Sequence, residues 1–197
     1  MLDRFDNILK DASQRLSKAA KDRKLPMQSP VVATADADAR IMVLRSFDPE
    51  NWTLRFHTDL RAPKCGVIGP KDNGGSPIGV LFYDKPEKIQ IRTRGVGWIE
   101  TDTALAEQAW QESTNFARRC YLGDGPGAVS ETPTSGLPKT MEGVEPSEDQ
   151  ILPARENFAI LVVEIRELDW FSLAHTGHRR AQFTGGAGVW QGRWVTP

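Results

Sequence analysis

Apolar residues recur at Phe5, Ile8, Leu9, Ala12, Leu16 and Ala19, the three- and four-residue spacing of a helix with one buried face. That spacing predicts a surface helix over Asp3–Lys21, within an N-terminal segment (1–26) that Pro26 ends. Beyond it the period drops to two. Val31–Ala35 is a short, β-branched apolar run suited to a buried strand, and Asp36–Ala39 makes a turn. Arg40–Phe47 is the next strand. Asp48-Pro49-Glu50-Asn51 then places Asp and Pro in the leading turn positions and closes a hairpin into Trp52–Thr58. Ala62–Gly69 reads as a short helix with Pro63 in its first turn, and Ile78–Tyr83 as a buried strand. Lys88–Glu100 alternates, with Ile89, Ile91 and Thr93 on one face and Lys88, Gln90, Arg92 and Arg94 on the other.

Thr101 or Asp102 caps a helix over Thr103–Arg119 whose expected buried side is Leu105, Ala109, Trp110 and Phe116. Gly123–Pro153 is rich in Gly, Pro, Ser, Thr and acid, and reads as a long loop crossing the surface. Phe158–Ile165 is a central strand that Glu167–Leu173 extends. His178–Phe183 and Val189–Val195 form a closing hairpin across Gly185-Gly186, with Trp190 and Trp194 on one face of the last strand for packing. Strands dominate, so the fold class is mainly β (α+β), a single domain over 1–197. Greek-key barrel closure is the natural way to remove the strand edges.

Composition adds exclusions. The 197 residues suffice for one core, and 25 cationic side chains against 26 anionic ones leave a net charge of −1. That balance argues against a nucleic-acid or anionic-membrane binder. Cys65 and Cys120 are the only cysteines, too few for a zinc quartet, and are expected to act as small hydrophobes. The N-terminus is interrupted by charges throughout and no stretch matches a membrane span, so the expected location is the cytoplasm.

The chemistry concentrates in the hairpin. Arg40 and Arg45 end its first strand, Arg55 and His57 lie on its second, Thr58 adds a hydroxyl, and Lys64 follows in the next element. Arginine forks and a lysine point charge suit a phosphate. Taken singly, each is also an ordinary barrel-rim charge. Arg118 and Arg119 end the second helix, where cations complement the dipole. His175 and His178 sit in a loop, the usual place of exposed bystanders. No residue stands out as a general base, so no catalytic residue is assigned.

The segments RIMVLR, LRFHTDLRAPK and KIQIRTRG resemble, in order and spacing, the pyridoxamine 5′-phosphate oxidase-like family of FMN-binding split barrels. The resemblance is clearest over Val31–Gly97 and looser in the C-terminal third. It implies an FMN-binding split β-barrel with flanking helices, a homodimer with FMN at the subunit interface, and redox chemistry on a small-molecule substrate. The implied cofactor residues are Arg40, Val43, Leu44, Arg45, His57, Thr58, Lys64 and Gln90. Arg118 and Arg180 are the implied substrate contacts. A flavin store or sensor without turnover, and a barrel holding haem or a deazaflavin, are the alternatives. Ala62 and Pro63 stand where the family has Ser and Arg, and His57 replaces a Tyr. HTGHRR departs from the oxidase's arginine-x-histidine spacing, which separates the cofactor expectation from pyridoxamine phosphate as substrate.

Overall fold

The computed structural model describes residues 3–197. Helix α1 (Phe5–Ala19) buries Ile8, Ala12, Leu16 and Ala19, the face set by its spacing. Burying Ile8 and Leu16 contributes about 1.5–3 kcal/mol each. Nine strands follow: β1 (Val31–Ala33), β2 (Ala39–Ile41), β3 (Leu44–Asp48), β4 (Thr53–Asp59), β5 (Ser76–Asp84), β6 (Ile89–Glu100), β7 (Phe158–Ser172), β8 (Arg179–Gly186) and β9 (Val189–Val195). They form one antiparallel sheet, ordered β2-β1-β5-β6-β7-β4-β3, with β8 and β9 branching from β7.

The connectivity explains the curl. β2 and β3 are the two ends of that order, yet only Met42 and Val43 separate them in the chain. Three Cα steps span at most about 11 Å, so the opposite edges of the sheet must meet. The split has an equally local cause. One flank of β7 pairs with β4 along Phe158–Glu164 and with β8 along Glu167–Ser172. β6 pairs along the whole other flank, with its register shifted between Arg94 and Gly95. Only glycine fits at that shift, because a Cβ on Gly95 would lie 1.8 Å from the Glu164 carbonyl oxygen.

β7 alternates between two cores. Ala159, Leu161, Val163 and Ile165 face the barrel interior with α1, whereas Phe158, Ile160 and Val162 face a second cluster with Trp98, Ala106, Trp110, Tyr121 and Ile151. The second cluster is the underside of a helical cover: α2 (Pro63–Ile68) lies apart at the barrel end, while α3 (Ala104–Gln111), α4 (Asn115–Arg118) and α5 (Glu148–Ile151) supply the cover.

Several elements depart from the sequence reading. The strand expected over Arg40–Phe47 breaks at Met42-Val43, where the chain changes sheet edge. Trp52 lies in the turn at φ 50°, held there by packing against Phe47 and Trp190. The helix expected over Thr103–Arg119 is two helices, because the Thr114 hydroxyl accepts from Ala117 N and starts a new one. Leu105 and Phe116 are exposed, and α3 buries Ala106 with Ala109 and Trp110 instead. The β8–β9 turn is Ala187-Gly188, both at positive φ, rather than Gly185-Gly186, which are in the strand. The long loop carries a turn of 3-10 helix at Lys139–Met141, and Ser147 and Gln150 form a capping box that starts α5. Trp190 and Trp194 do share a face, against Trp52 and Phe5. Cys65 is buried, as a small hydrophobe should be, but Cys120 is exposed.

Candidate functional site

The hairpin cations do not converge on one point. Arg40 pairs across the ladder with Val32, on the interior side of the sheet at the barrel rim. Its guanidinium donates to Thr34 Oγ1 at 2.9 Å and Val32 O at 3.4 Å, and pairs with Asp38. Lys64 sits in the first turn of α2 within electrostatic reach of Arg40. Burial, with the like charge of Arg40 added, lowers its pKa below that of an ordinary lysine. Its ammonium makes no hydrogen bond or ion pair among the described residues. Thr58 and Leu44 point inward: Leu44 is in the core, and Thr58 Oγ1 donates to Asp59 O at 3.3 Å beneath α2. Val43 is half-buried in the link between β2 and β3.

Arg45 and His57 belong to a second group on the outer face of the sheet, together with Arg55. His57 and Arg55 stand opposite Ile160 and Val162, which point into the second core. The His57 ring meets the Phe158 ring edge-on at 5.0 Å. Burial, then the charges of Arg45 and Arg55, push its pKa down from 6.5 to about 3. Arg55 pairs with Glu112 at 3.1 Å, and the other Glu112 oxygen accepts from Gln108. Arg45 Nε, Arg55 Nε and His57 Nε2 are all buried without a partner. Arg45 makes no hydrogen bond or ion pair at all among the described residues. Burial lowers its pKa, and Tyr121, Arg23 and Cys120 lie within its electrostatic reach.

Gln90 and Arg180 lie elsewhere. They occupy one cross-strand row with Phe171, on the outer face of the open half of the sheet. The adjoining row holds Arg92, Asp169, Gln182 and Arg193. Asp169 accepts from Arg180 at 2.7 and 3.0 Å, from Arg92 at 2.6 Å and from Gln182 at 3.1 Å. Gln182 in turn holds Arg193 at 2.9 Å. These side chains line an open groove of about 820 Å³. Burial opposes the Asp169 charge, but hydrogen bonds from Arg180, Gln182 and Arg92 lower its pKa all the same. His57 pairs at Ile160 and Arg180 at Phe171, so eleven residues of β7 separate them. At about 3.3 Å per residue that is roughly 35 Å of strand.

Arg118 is brought to neither group. Its side chain is 6% exposed and donates to Trp110 O at 2.9 Å, Gln111 O at 3.1 Å and Asn115 Oδ1 at 3.0 Å. It ties α3 to α4. Sequence reasoning missed Tyr121, which depends on the folding of the helical cover, and Asp169. Asp169 left a readable trace, because Glu167, Asp169 and Phe171 alternate with Leu168 and Trp170 as one outward face. Among the described residues, no group of three His, Cys, Asp or Glu side chains is placed to hold a metal, and no helix is long and apolar enough to cross a membrane.

No protein-family model and no curated protein matches the sequence. Solved structures do match the fold. A pyridoxamine 5′-phosphate oxidase-related, FMN-binding protein from Nostoc punctiforme superposes with a TM-score of 0.73 at 18% identity, covering 100% of both chains. PhzG from Burkholderia lata, solved with tetrahydrophenazine-1-carboxylic acid, gives 0.63 at 14% identity, over 98% of this chain and 92% of that one. A general stress FMN/FAD-binding protein from Xanthomonas citri gives 0.54 at 11% identity, over 86% and 91%. These likenesses establish the split-barrel fold of the pyridoxamine 5′-phosphate oxidase-like proteins, the fold that RIMVLR and its companion segments implied.

Proposed function

We propose that this chain, a split barrel of the pyridoxamine 5′-phosphate oxidase-like fold, binds FMN and works as an oxidoreductase on a small molecule. The observation that carries the reading is the rim pair. Lys64 is half-buried and without a partner, beside an Arg40 whose fork is already oriented by Thr34 and Asp38. Asp38 holds Arg40, and Asp59, the other carboxylate that faces Lys64, is itself held by Arg61, so the Lys64 ammonium is left without an ion pair and suits a phosphate. Arg40 and Lys64 hold the phosphate in this reading, with the Val43-Leu44 backbone beside it. When bound, FMN supplies the exchange of electrons or a hydride.

Gln90 and Arg180 lie on the outer face of the sheet whereas Arg40 lies on its interior side, a separation by face that supports a homodimer in which a second copy brings them to the flavin. Asp169 then serves to hold Arg180 ready, with Nε and Nη2 both engaged.

Purified protein that is yellow, and releases FMN on denaturation, is the expected result. Arg40→Ala or Lys64→Ala should weaken FMN binding by roughly 1.5–3 kcal/mol, read by flavin fluorescence. Unchanged affinity in both variants would overturn the placement of the phosphate. Reduction of the bound flavin by NAD(P)H or another donor distinguishes an oxidoreductase from a flavin store.

A further inference from the structure

Arg40 is held from two sides that differ in kind. Its Nη1 donates to Thr34 Oγ1 at 2.9 Å and to Val32 O at 3.4 Å. Thr34 is 6% exposed, and its own hydroxyl proton goes to Asp36 Oδ1 at 2.6 Å, so a lone pair is what Arg40 meets. Nη2 donates to the Asp38 carboxylate, and Nε makes no hydrogen bond among the described residues. The Asp38 side chain is 67% exposed, and among the described residues its carboxylate has no other hydrogen-bond or ion-pair partner. The backbone of Asp38 is pinned separately, since its carbonyl accepts from Thr34 N at 3.0 Å. We propose that Asp38 is a resident counter-ion that the flavin phosphate displaces from Arg40, so that Asp38 restrains phosphate binding while Thr34 promotes it. The proposal rests on the FMN reading for the identity of the anion, and goes beyond it in giving two neighbours of Arg40 opposite roles.

Donor geometry calls for the exchange. A guanidinium grips a phosphate with two parallel donors, and the edges that offer them are Nε with Nη2 and Nη1 with Nη2. Nη1 is already used twice, so the edge left for a fork is Nε with Nη2. Asp38 is bonded at Nη2, one of the two donors of that edge. A phosphate held by Nε alone would also stand beside the carboxylate, and like charges at contact repel. Rotating one exposed side chain removes both obstacles, and the backbone bond from Thr34 keeps the turn in place meanwhile. An exposed ion pair holds by roughly fivefold at most, so a phosphate gripped by two charge-assisted bonds displaces it. Thr34 Oγ1 and Val32 O keep the guanidinium oriented after the carboxylate leaves. Lys64 lies within electrostatic reach of Asp38 as well, so both rim cations gain when it moves away.

The test titrates the purified protein, freed of flavin, with FMN and with riboflavin, which lacks the phosphate, and reads flavin fluorescence. Asp38→Asn keeps the side-chain shape without the charge, and Asp38→Ser removes its reach to Arg40. Both are expected to bind FMN roughly two- to tenfold more tightly than the wild type and riboflavin no differently, and the gain should vanish in the Arg40→Gln background. Thr34→Val should weaken FMN instead. Asp38 variants that bind FMN no more tightly than the wild type would make Asp38 a brace and overturn the proposal. So would a gain that survives Arg40→Gln or extends to riboflavin, or an unchanged affinity in Thr34→Val. Failure of the FMN reading is told apart with inorganic phosphate, followed at the Arg40 Nε–H resonance by NMR. In that case no protein binds FMN, yet phosphate still moves the resonance, and at lower concentration in Asp38→Asn. Silence towards both FMN and phosphate overturns the proposal together with the reading.

Discussion

Mild acid should destabilise this protein through one residue. His57 has a folded pKa of about 3 against an ordinary 6.5, because it is buried and flanked by Arg45 and Arg55. The group is a base whose folded pKa is depressed, so between those two values the unfolded chain binds the extra proton. Stability is therefore fully present above about pH 6.5, falls as pH drops through the window, and stops falling near pH 3. At pH 5 the loss is RT ln(1 + 10^1.5), about 2 kcal/mol. The two arginines stay charged throughout, so the repulsion they impose on an imidazolium does not fade within the window. Total stabilities run to about 5–15 kcal/mol, which makes this loss measurable by urea denaturation at pH 8 and pH 5. His57→Gln has no proton to gain. The wild type should lose about 2 kcal/mol more than the variant over that interval, with the same urea dependence. Equal losses in the two proteins would refute the argument, and would mean that His57 is solvated or paired.

Three further outcomes follow from packing. Gly95→Ala must displace the Glu164 carbonyl from the bulge between the halves of the barrel, so a loss of about 3 kcal/mol or more is expected in urea melts. Arg118→Ala strips donors from the Trp110 and Gln111 carbonyls, and should cost about 3 kcal/mol of stability while leaving flavin affinity unchanged by fluorescence titration. Ile151→Ala should cost about 2–5 kcal/mol by the same melts, since Ile151 is 1% exposed in the second core.

The contrast between what the sequence revealed and what it hid comes down to the range of each interaction. α1, β5, β6 and β9 are written in local periodicity, and the structure places them within a few residues of the expected bounds. The α3–α4 break was missed because its signal, a Thr114 cap, lies inside an otherwise continuous apolar pattern. α5 announced itself in Ser147-Glu148-Asp149-Gln150, a capping box that a reading based on glycine and proline content passed over. The site was harder still. Arg40 and Arg45 are five residues apart and looked like two ends of one strand, so both were assigned to one phosphate. That odd spacing already puts them on opposite faces by the alternation of a strand, a local signal that was passed over, and the break at Met42-Val43 further sends them to opposite edges of the sheet.

The same closure separates the cations by task. Inside the rim, Arg40 is braced by Asp38 and Thr34 while Lys64 beside it makes no hydrogen bond or ion pair among the described residues, the arrangement on which the proposed phosphate site rests. On the outer face Arg55 is braced by Glu112 while Arg45 is left free, beside a histidine that burial keeps neutral. Each group thus pairs a braced arginine with an unpaired cation, and their carboxylates differ in origin. Asp38 comes from the hairpin itself, two residues before Arg40, whereas Glu112 arrives from the helical cover. The rim group therefore draws on β2, the turn before it and α2 alone, whereas the outer group is completed by the cover that packs on Phe158, Ile160 and Val162.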